Sequence, residues 1–410
     1  ADGLQKIRIY IHLLPRHYCE NMRSFPVWIR FNCKANYGDG AKGTLIVRIV
    51  LVSPFNIANY GAMLQGWALR TVLERMGHNV RHLNVPWMWH GVRNWWEIVR
   101  SRSITSMIEK VKINRMMRLS YKTMGNPPMT RAYKSISELR RFPPSADCYI
   151  AGSDQIWAMY HLRNRENSAV VMLDFGSDSV SRIAYAPSIG KAKWTNDEIS
   201  FARQFKSRLS LFKALSSREG SGCRLVSAIS DRFCSWVPDP TLLIERDDYL
   251  NLVKLAAEDV GSGNHIFTYS LGFEAPHRRV MIDNVIDVIK RNDAIVKEVH
   301  RLRAPAPLGD WLLKLITARF VVTNSFHGLC FSLIFHRPFV MVGFDGEDGW
   351  RNERVVDLLG RLGLSYRFVA SYNEATVMSI VAKNIDWISV GQLICESRQV
   401  GMDYIRRNVS

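Results

Sequence analysis

Residues 317–344 read TARFVVTNSFHGLCFSLIFHRPFVMVGF. Their chemistry-bearing group is Thr323, Asn324, Ser325 and His327, held between apolar runs. The run at 320–322 reads as a buried strand, 329–335 as about two helical turns, and 339–342 as a further strand. A histidine in the first turn of a helix that starts where a strand ends can exchange a proton near neutral pH. It also sits beside backbone N–H groups that attract anions. Ser325 or Asn324 would cap such a helix. The competing reading is a polar turn whose histidine is buried and satisfied. A second candidate lies in GSDQIW, residues 152–157, again just past a strand. Asp154 could orient or deprotonate a hydroxyl, or serve as the cap of the helix that holds Trp157.

These side chains need a scaffold, and the rest of the chain supplies one. Residues 44–52 form a β-branched run that reads as a buried strand. Apolar residues from 62 to 76 recur at helical spacing, Gly77 closes the helix, and 80–85 reads as the next strand. This β-α-β unit carries no GxGxxG at its turn, so a dinucleotide site is not indicated. Further strands are expected at 145–152, 170–175, 182–186, 214–216, 265–272 and 294–299. Helices are expected at 197–211, 222–230, 277–290, 311–316 and 354–362, with a terminal helix from 386 to near 407. Residues 7–11 alternate as a half-buried strand would, and 36–43 is a glycine-rich turn. The alternation predicts an α/β fold of two layered units rather than a barrel.

Composition narrows the function classes. The chain has 410 residues, 47% of them hydrophobic, enough for two sizeable cores. Its seven cysteines are scattered, with no metal-ligand spacing, which fits a reducing compartment and argues against a structural zinc. No signal peptide or clean 18-residue apolar run is readable. A cytoplasmic location is expected, with the inner face of the cytoplasmic membrane as one option. The net charge of +18 favours anionic partners. Twelve Lys and Arg against three acids fall within 86–141, which carries half of that excess. Trp87, Trp89, Trp95 and Trp96 stand among them, and apolar residues from 98 to 119 add a stripe. A basic amphipathic helix of this kind can lie on an anionic membrane. Stripes of Trp and Met are also ordinary core contacts.

Six segments in order resemble the polysaccharide pyruvyl transferase family. They are NYGAMLQGWAL (59–69), AGSDQIW (151–157), SSREGSG (216–222), PDPTLLI (238–244), TNSFHGLCFSLIFHRPF (323–339) and IDWISVGQLICESRQVGMDYIRR (385–407). The resemblance implies two Rossmann-like domains facing a cleft, a GT-B-like glycosyltransferase architecture. The expected boundaries are an extension over 1–43 and an N-terminal domain over 44–255 with an insertion at 86–141. A C-terminal domain over 256–385 follows, then a helix over 386–410 that packs back on the N-terminal domain. The resemblance also implies transfer of a pyruvyl group from phosphoenolpyruvate to a sugar, giving a ketal and phosphate. Residues 1–43 and 86–118 match nothing in the family, and they leave the acceptor open.

That chemistry needs groups for two anionic moieties, an acid near the methylene and a base for the sugar hydroxyl. His327 is the candidate acid, or a phosphate ligand, and Asp154 the candidate base. Arg218, Arg337 and Arg354 are the arginines assigned to the donor's phosphate and carboxylate, because a guanidinium grips such groups in two-point fashion. Ser325 could donate to phosphate. Asn59, Tyr60, Gln65 and Gln155 are assigned to the acceptor. No metal or cofactor is expected, and phosphoenolpyruvate is the donor substrate. The expected partners are a sugar or lipid-linked oligosaccharide and, peripherally, an anionic membrane, with no specific nucleic acid. The alternatives are a sugar-nucleotide glycosyltransferase of GT-B type, a basic nucleic-acid-binding protein and an inactive scaffold.

Overall fold

The computed structural model describes residues 45–55, 57–89, 103–271, 276–302 and 306–409. The stretch at 7–11, the turn at 36–43, the rest of the 1–43 extension, and Trp95 and Trp96 lie outside the described residues. Among those described, every strand pair is parallel.

The first half is built on β1 (Arg48–Val52), whose last four residues are buried. A parallel strand covered by helices on both faces has no wet side, which is why RIVLV reads as a run rather than an alternation. Asn59 accepts from the Ala62 N–H and opens α1 (Tyr60–Arg75). Gly77, at φ +91°, turns the chain into β2 (Asn79–Asn84). Then α2 (Ile104–Thr123) crosses to β3 (Met129–Ala132). β4 (Cys148–Ala151) and β5 (Ser181–Ala184) complete a sheet of order β3-β2-β1-β4-β5. β6 (Leu215–Ser217) and β7 (Cys234–Trp236) pair with each other and extend this layer. The Ala184 N–H donates to the Ala214 carbonyl, joining β6 to β5.

The described part of the 86–141 segment is therefore built into the sheet and its core. β3 is the sheet's edge strand, α2 is its crossover, and Trp89 is buried in the core with Trp87 packed beside it. The expected strand at 170–175 is instead the end of a helix, α3 (Arg165–Val171), followed by a turn with Leu173 at φ +55°. Asn164 caps that helix through the Glu166 and Asn167 N–H groups. Its apolar residues are buried all round, so helix and strand periods could not be told apart. The expected helix at 197–211 breaks into two short ones joined by a 3-10 turn.

After α4 (Gly220–Ser230) and β7 the chain goes on to the second half. It holds β8 (His265–Tyr269), α5 (Pro276–Asn292), β9 (Glu298–Arg301), α6 (Leu308–Ile316), β10 (Phe320–Thr323), α7 (Phe326–Ile334), β11 (Phe339–Val342), α8 (Glu353–Arg361) and β12 (Phe368–Val369). Its sheet runs β12-β11-β10-β8-β9, with its own core of Val, Ile and Phe side chains. The terminal helix α9 (Trp387–Asn408) lies on the first half. Arg398 donates to the Leu242 and Ile244 carbonyls at 3.0 and 3.2 Å, and the Tyr404 hydroxyl donates to Ala184 at 2.8 Å. The result is two Rossmann-like halves in a GT-B-like arrangement. Each sheet reverses its strand order once, between β1 and β4 and between β8 and β10, and such reversals open a crevice at the strand C-termini.

Candidate active site

The two crevices meet. In the second half, the turn after β10 is locked by its own side chains. The Asn324 amide holds the Leu271 N–H at 2.7 Å and its carbonyl at 2.8 Å, tying the ends of β10 and β8 together. Thr323 accepts from the Ser325 N–H at 3.0 Å and donates to the Tyr269 carbonyl. Ser325 caps α7 by accepting from Gly328 at 3.3 Å. Gly328 has to lack a side chain, because a Cβ there would lie 2.5 Å from the Thr323 hydroxyl. Phe326 and His327 are thus fixed in the first turn of α7.

His327 is buried and packs on Gly61, the second residue of α1. A Cβ on Gly61 would fall 2.0 Å from the His327 Nδ1. The N-termini of α1 and α7 therefore meet at this glycine. Nearby, the Tyr60 hydroxyl donates to the Ala306 carbonyl at 2.8 Å and accepts from its N–H at 3.0 Å, while the ring stacks on Trp311.

The first half brings carboxylates. Asp154 follows β4 with φ +75°, a conformation that costs a non-glycine residue about 1–3 kcal/mol and tends to mark functional sites. Its carboxylate accepts from Gln155 N–H at 2.8 Å and lies 3.4 Å from the Arg218 guanidinium. Arg218 follows β6 and is buried. It donates to Asp239 at 2.7 Å, approaches Glu219 at 3.4 Å, and covers the Phe326 ring at 4.6 Å. Asp239, past β7, also accepts from Ser153 at 3.0 Å and from the Thr241 N–H and hydroxyl at 3.0 and 2.8 Å. The Nε2 of His327 stands 3.7 Å from Asp239, beyond hydrogen-bond length, and has no other partner among the described residues.

Arg354, in the first turn of α8, faces the same ring at 5.8 Å. With its amide orientation assigned from the hydrogen-bond network, Gln155 accepts from both terminal nitrogens of Arg354, at 2.8 and 3.0 Å. The buried Nε of Arg354 has no partner among the described residues. Burial and then the neighbouring Arg218 push the Arg354 guanidinium down to about 10, against Asp154 and Glu219. Burial works against charge on Asp154 and Asp239 too. Arg218, His327 and Arg354 nevertheless hold Asp154 below the ordinary carboxylate range, and His327 and Arg218 hold Asp239 well below it. Glu219 goes the other way. Burial raises it, despite Arg218 and a hydrogen bond donated by Ser188.

The expected residues therefore separate into two groups. His327, Asp154, Arg218, Arg354, Gln155 and Ser325 come together, with Asn59 and Tyr60 at the adjoining start of α1. Arg337 does not join them. It sits where β10 and β11 begin, donating to Ser262 at 2.8 Å and to the Ala318 and Gly261 carbonyls at 3.2 and 3.4 Å. It braces the opposite end of the sheet. Gln65 is wholly buried, its amide donating to the Ala62 carbonyl at 2.9 Å inside α1. Two residues were missed, Asp239 and Glu219. The Asp-Pro-Thr turn and the acid following Arg218 were the signals available in the sequence.

A model of the polysaccharide pyruvyl transferase family matches residues 59–346. The chain belongs to the polysaccharide pyruvyl transferase family. The matched span carries Asn59, Asp154, Arg218, Asp239 and His327, and Arg354 lies just beyond it. Comparison with curated proteins gives no significant match. Among solved structures, a putative UDP-N-acetylglucosamine 2-epimerase from Listeria monocytogenes matches at 7% identity and TM-score 0.49, over 88% of this chain and 95% of that one. MurG from Acinetobacter baumannii matches at 9% identity and TM-score 0.39, over 88% and 99%.

Proposed function

We propose that this pyruvyl transferase family member moves a pyruvyl group from phosphoenolpyruvate to hydroxyls of a sugar in a cell-surface or exopolysaccharide precursor. The products are a pyruvate ketal and phosphate. One observation carries the reading: two buried nitrogens without a hydrogen-bond partner among the described residues, Nε2 of His327 and Nε of Arg354, border the same Phe326 ring. A buried N–H left without an acceptor costs about 1–3 kcal/mol, and an anionic donor molecule would supply the acceptors.

In this reading His327 gives a proton to the methylene carbon of the donor. A sugar hydroxyl adds to the resulting cationic carbon and loses its proton. A second hydroxyl displaces phosphate and closes the ketal. One hydroxyl proton replaces the proton given to carbon, and the other leaves with phosphate. Asp239, 3.7 Å from Nε2, counters the charge of the imidazolium. Asp154 is kept ionised and serves as the base. Arg354 grips the donor's anionic groups, and Ser325, capping through a lone pair, keeps a hydroxyl proton for phosphate. Arg218 is already engaged by Asp239 and Asp154, so it fixes those carboxylates rather than the donor. Asn59, half-exposed at the start of α1, faces the acceptor side. No cofactor is invoked. A cytoplasmic place, at the inner face of the membrane, belongs to the same reading.

The test is phosphate release from phosphoenolpyruvate in the presence of acceptor. His327→Ala is expected to lose turnover by at least about a hundredfold while still unfolding in one cooperative transition. A folded variant with near-wild-type turnover contradicts the assignment.

A further inference from the structure

We propose that the outward face of α2 docks this protein on an anionic lipid surface. The proposal is independent of the reaction proposed above, and it rests on where the helix stands and on what it shows to solvent.

The two ends of α2 differ. Its C-terminal part is anchored, with Asn114, Met116, Met117 and Ser120 buried. The Ser120 hydroxyl accepts from the Leu308 N–H of the second half at 3.0 Å, and the Met124 carbonyl accepts from Arg70. No residue from 103 to 113 is buried. Ser103 caps this outstanding end by accepting from the Ser106 N–H, so the helix is complete up to its tip.

The side chains of the outward face follow helical spacing. Ile104, Ile108, Val111, Arg115, Leu119 and Lys122 advance by steps of three or four and share one stripe. Arg118 flanks that stripe. The four aliphatic members are exposed at 74, 48, 42 and 39% for Ile104, Ile108, Val111 and Leu119. The buried Met116, Met117 and Ser120 lie on the opposite face, so core packing does not explain the outer aliphatics. A helix that only faced water would not repeat large aliphatics on its outer side.

The charges identify the occupant. Lys112, Arg115, Arg118 and Lys122 are exposed on or beside the stripe, and Glu109 is the helix's one acid. Cations that flank an aliphatic row complement a surface that is anionic at its headgroups and apolar beneath, since long basic side chains reach outward while aliphatics sink. An apolar protein partner would not call for the cations, and a polyanion in water would not call for the isoleucines. A short chain of contacts joins this helix to the catalytic region. Ser120 touches Leu308, Ala306 touches Tyr60, and Gly61 touches His327. A protein docked through α2 would thus hold that region close to the lipid.

The test is sedimentation of the whole chain with vesicles of phosphatidylglycerol in phosphatidylcholine, against phosphatidylcholine alone. The chain is expected to pellet with the anionic vesicles and stay in solution with the neutral ones. Ile104→Asp with Ile108→Asp is expected to lower the partition coefficient by about tenfold. Arg115→Gln with Arg118→Gln should lower it by about twenty-five-fold, because each cation near such a surface contributes about a factor of five. Both pairs lie on an exposed face and are expected to unfold at the wild-type temperature. Should the aspartate pair misfold, Ile104→Ser with Val111→Ser asks the same question more gently. Failure of the wild-type chain to pellet with anionic vesicles overturns the proposal. So does binding that needs the arginines but not the aliphatics, which marks a general polyanion surface.

Discussion

Arg218 shows how the site is held at the scale of single residues. Its guanidinium is buried, lies between Asp239, Asp154 and Glu219, and covers Phe326. Removing one member of a buried ion pair typically costs about 3–5 kcal/mol, because the remaining charge has lost its compensation. Asp239→Ala is therefore expected to lower the unfolding free energy by roughly that amount. The sign of the pH effect follows from Asp239 being depressed in the folded state. Its stabilisation is fully present above the ordinary aspartate value near 4 and is lost as pH falls below it. The variant should accordingly lose part of the acid limb in a plot of unfolding temperature against pH. An unchanged acid limb contradicts the pairing. His327, Asp154 and Arg218 were legible because each stands just past a strand, where such folds place their chemistry. Arg337 follows the His327 helix in sequence. A helix rising about 1.5 Å per residue carries it roughly 15 Å away, to the other end of the sheet. Asp239 and Glu219 stand in segments that resemble the family, but their value depends on pairing with Arg218, and pairing across the fold is not written in spacing.

At the scale of elements, the decisive contact is between two helix starts. α1 and α7 come from different halves, and Gly61 is the point where His327 fits between them. At an exposed helix position, replacing glycine with alanine stabilises by about 1 kcal/mol. Here a Cβ would collide with the imidazole, so the sign reverses. Gly61→Ala is expected to abolish turnover and to lower the unfolding temperature. A variant that is both active and more stable would show that the two helix starts do not meet as described. The strand-helix-strand character of each half was readable from runs of β-branched residues. The stretch at 170–175 was not, because a fully buried helix end shows neither period. The edge strand β3 was not either, because MTRA lacks the apolar run that marked the others. Reading 86–141 as an insertion followed from its unusual charge, yet the sheet needs it for an edge strand and a crossover.

At the scale of the whole molecule, the two parallel sheets bring their C-terminal edges to one cluster, and α9 ties the end of the chain to the first half. Among the described residues, no helix is long and apolar enough to cross a membrane. The excess positive charge in 86–141, visible in the sequence, is explained in part by the outward face of α2. The acceptor sugar was not legible, because it depends on surfaces that no motif in this chain specifies. Pyruvyl transfer itself can be read out by incubating the whole chain with labelled phosphoenolpyruvate and a panel of soluble and lipid-linked sugars, followed by mass analysis of the sugars. The expected result is a labelled pyruvate ketal on one acceptor class, with phosphate formed in equal amount and both products absent with His327→Ala. Label transfer without ketal formation, or transfer of a sugar from a nucleotide donor in place of pyruvate, would contradict it.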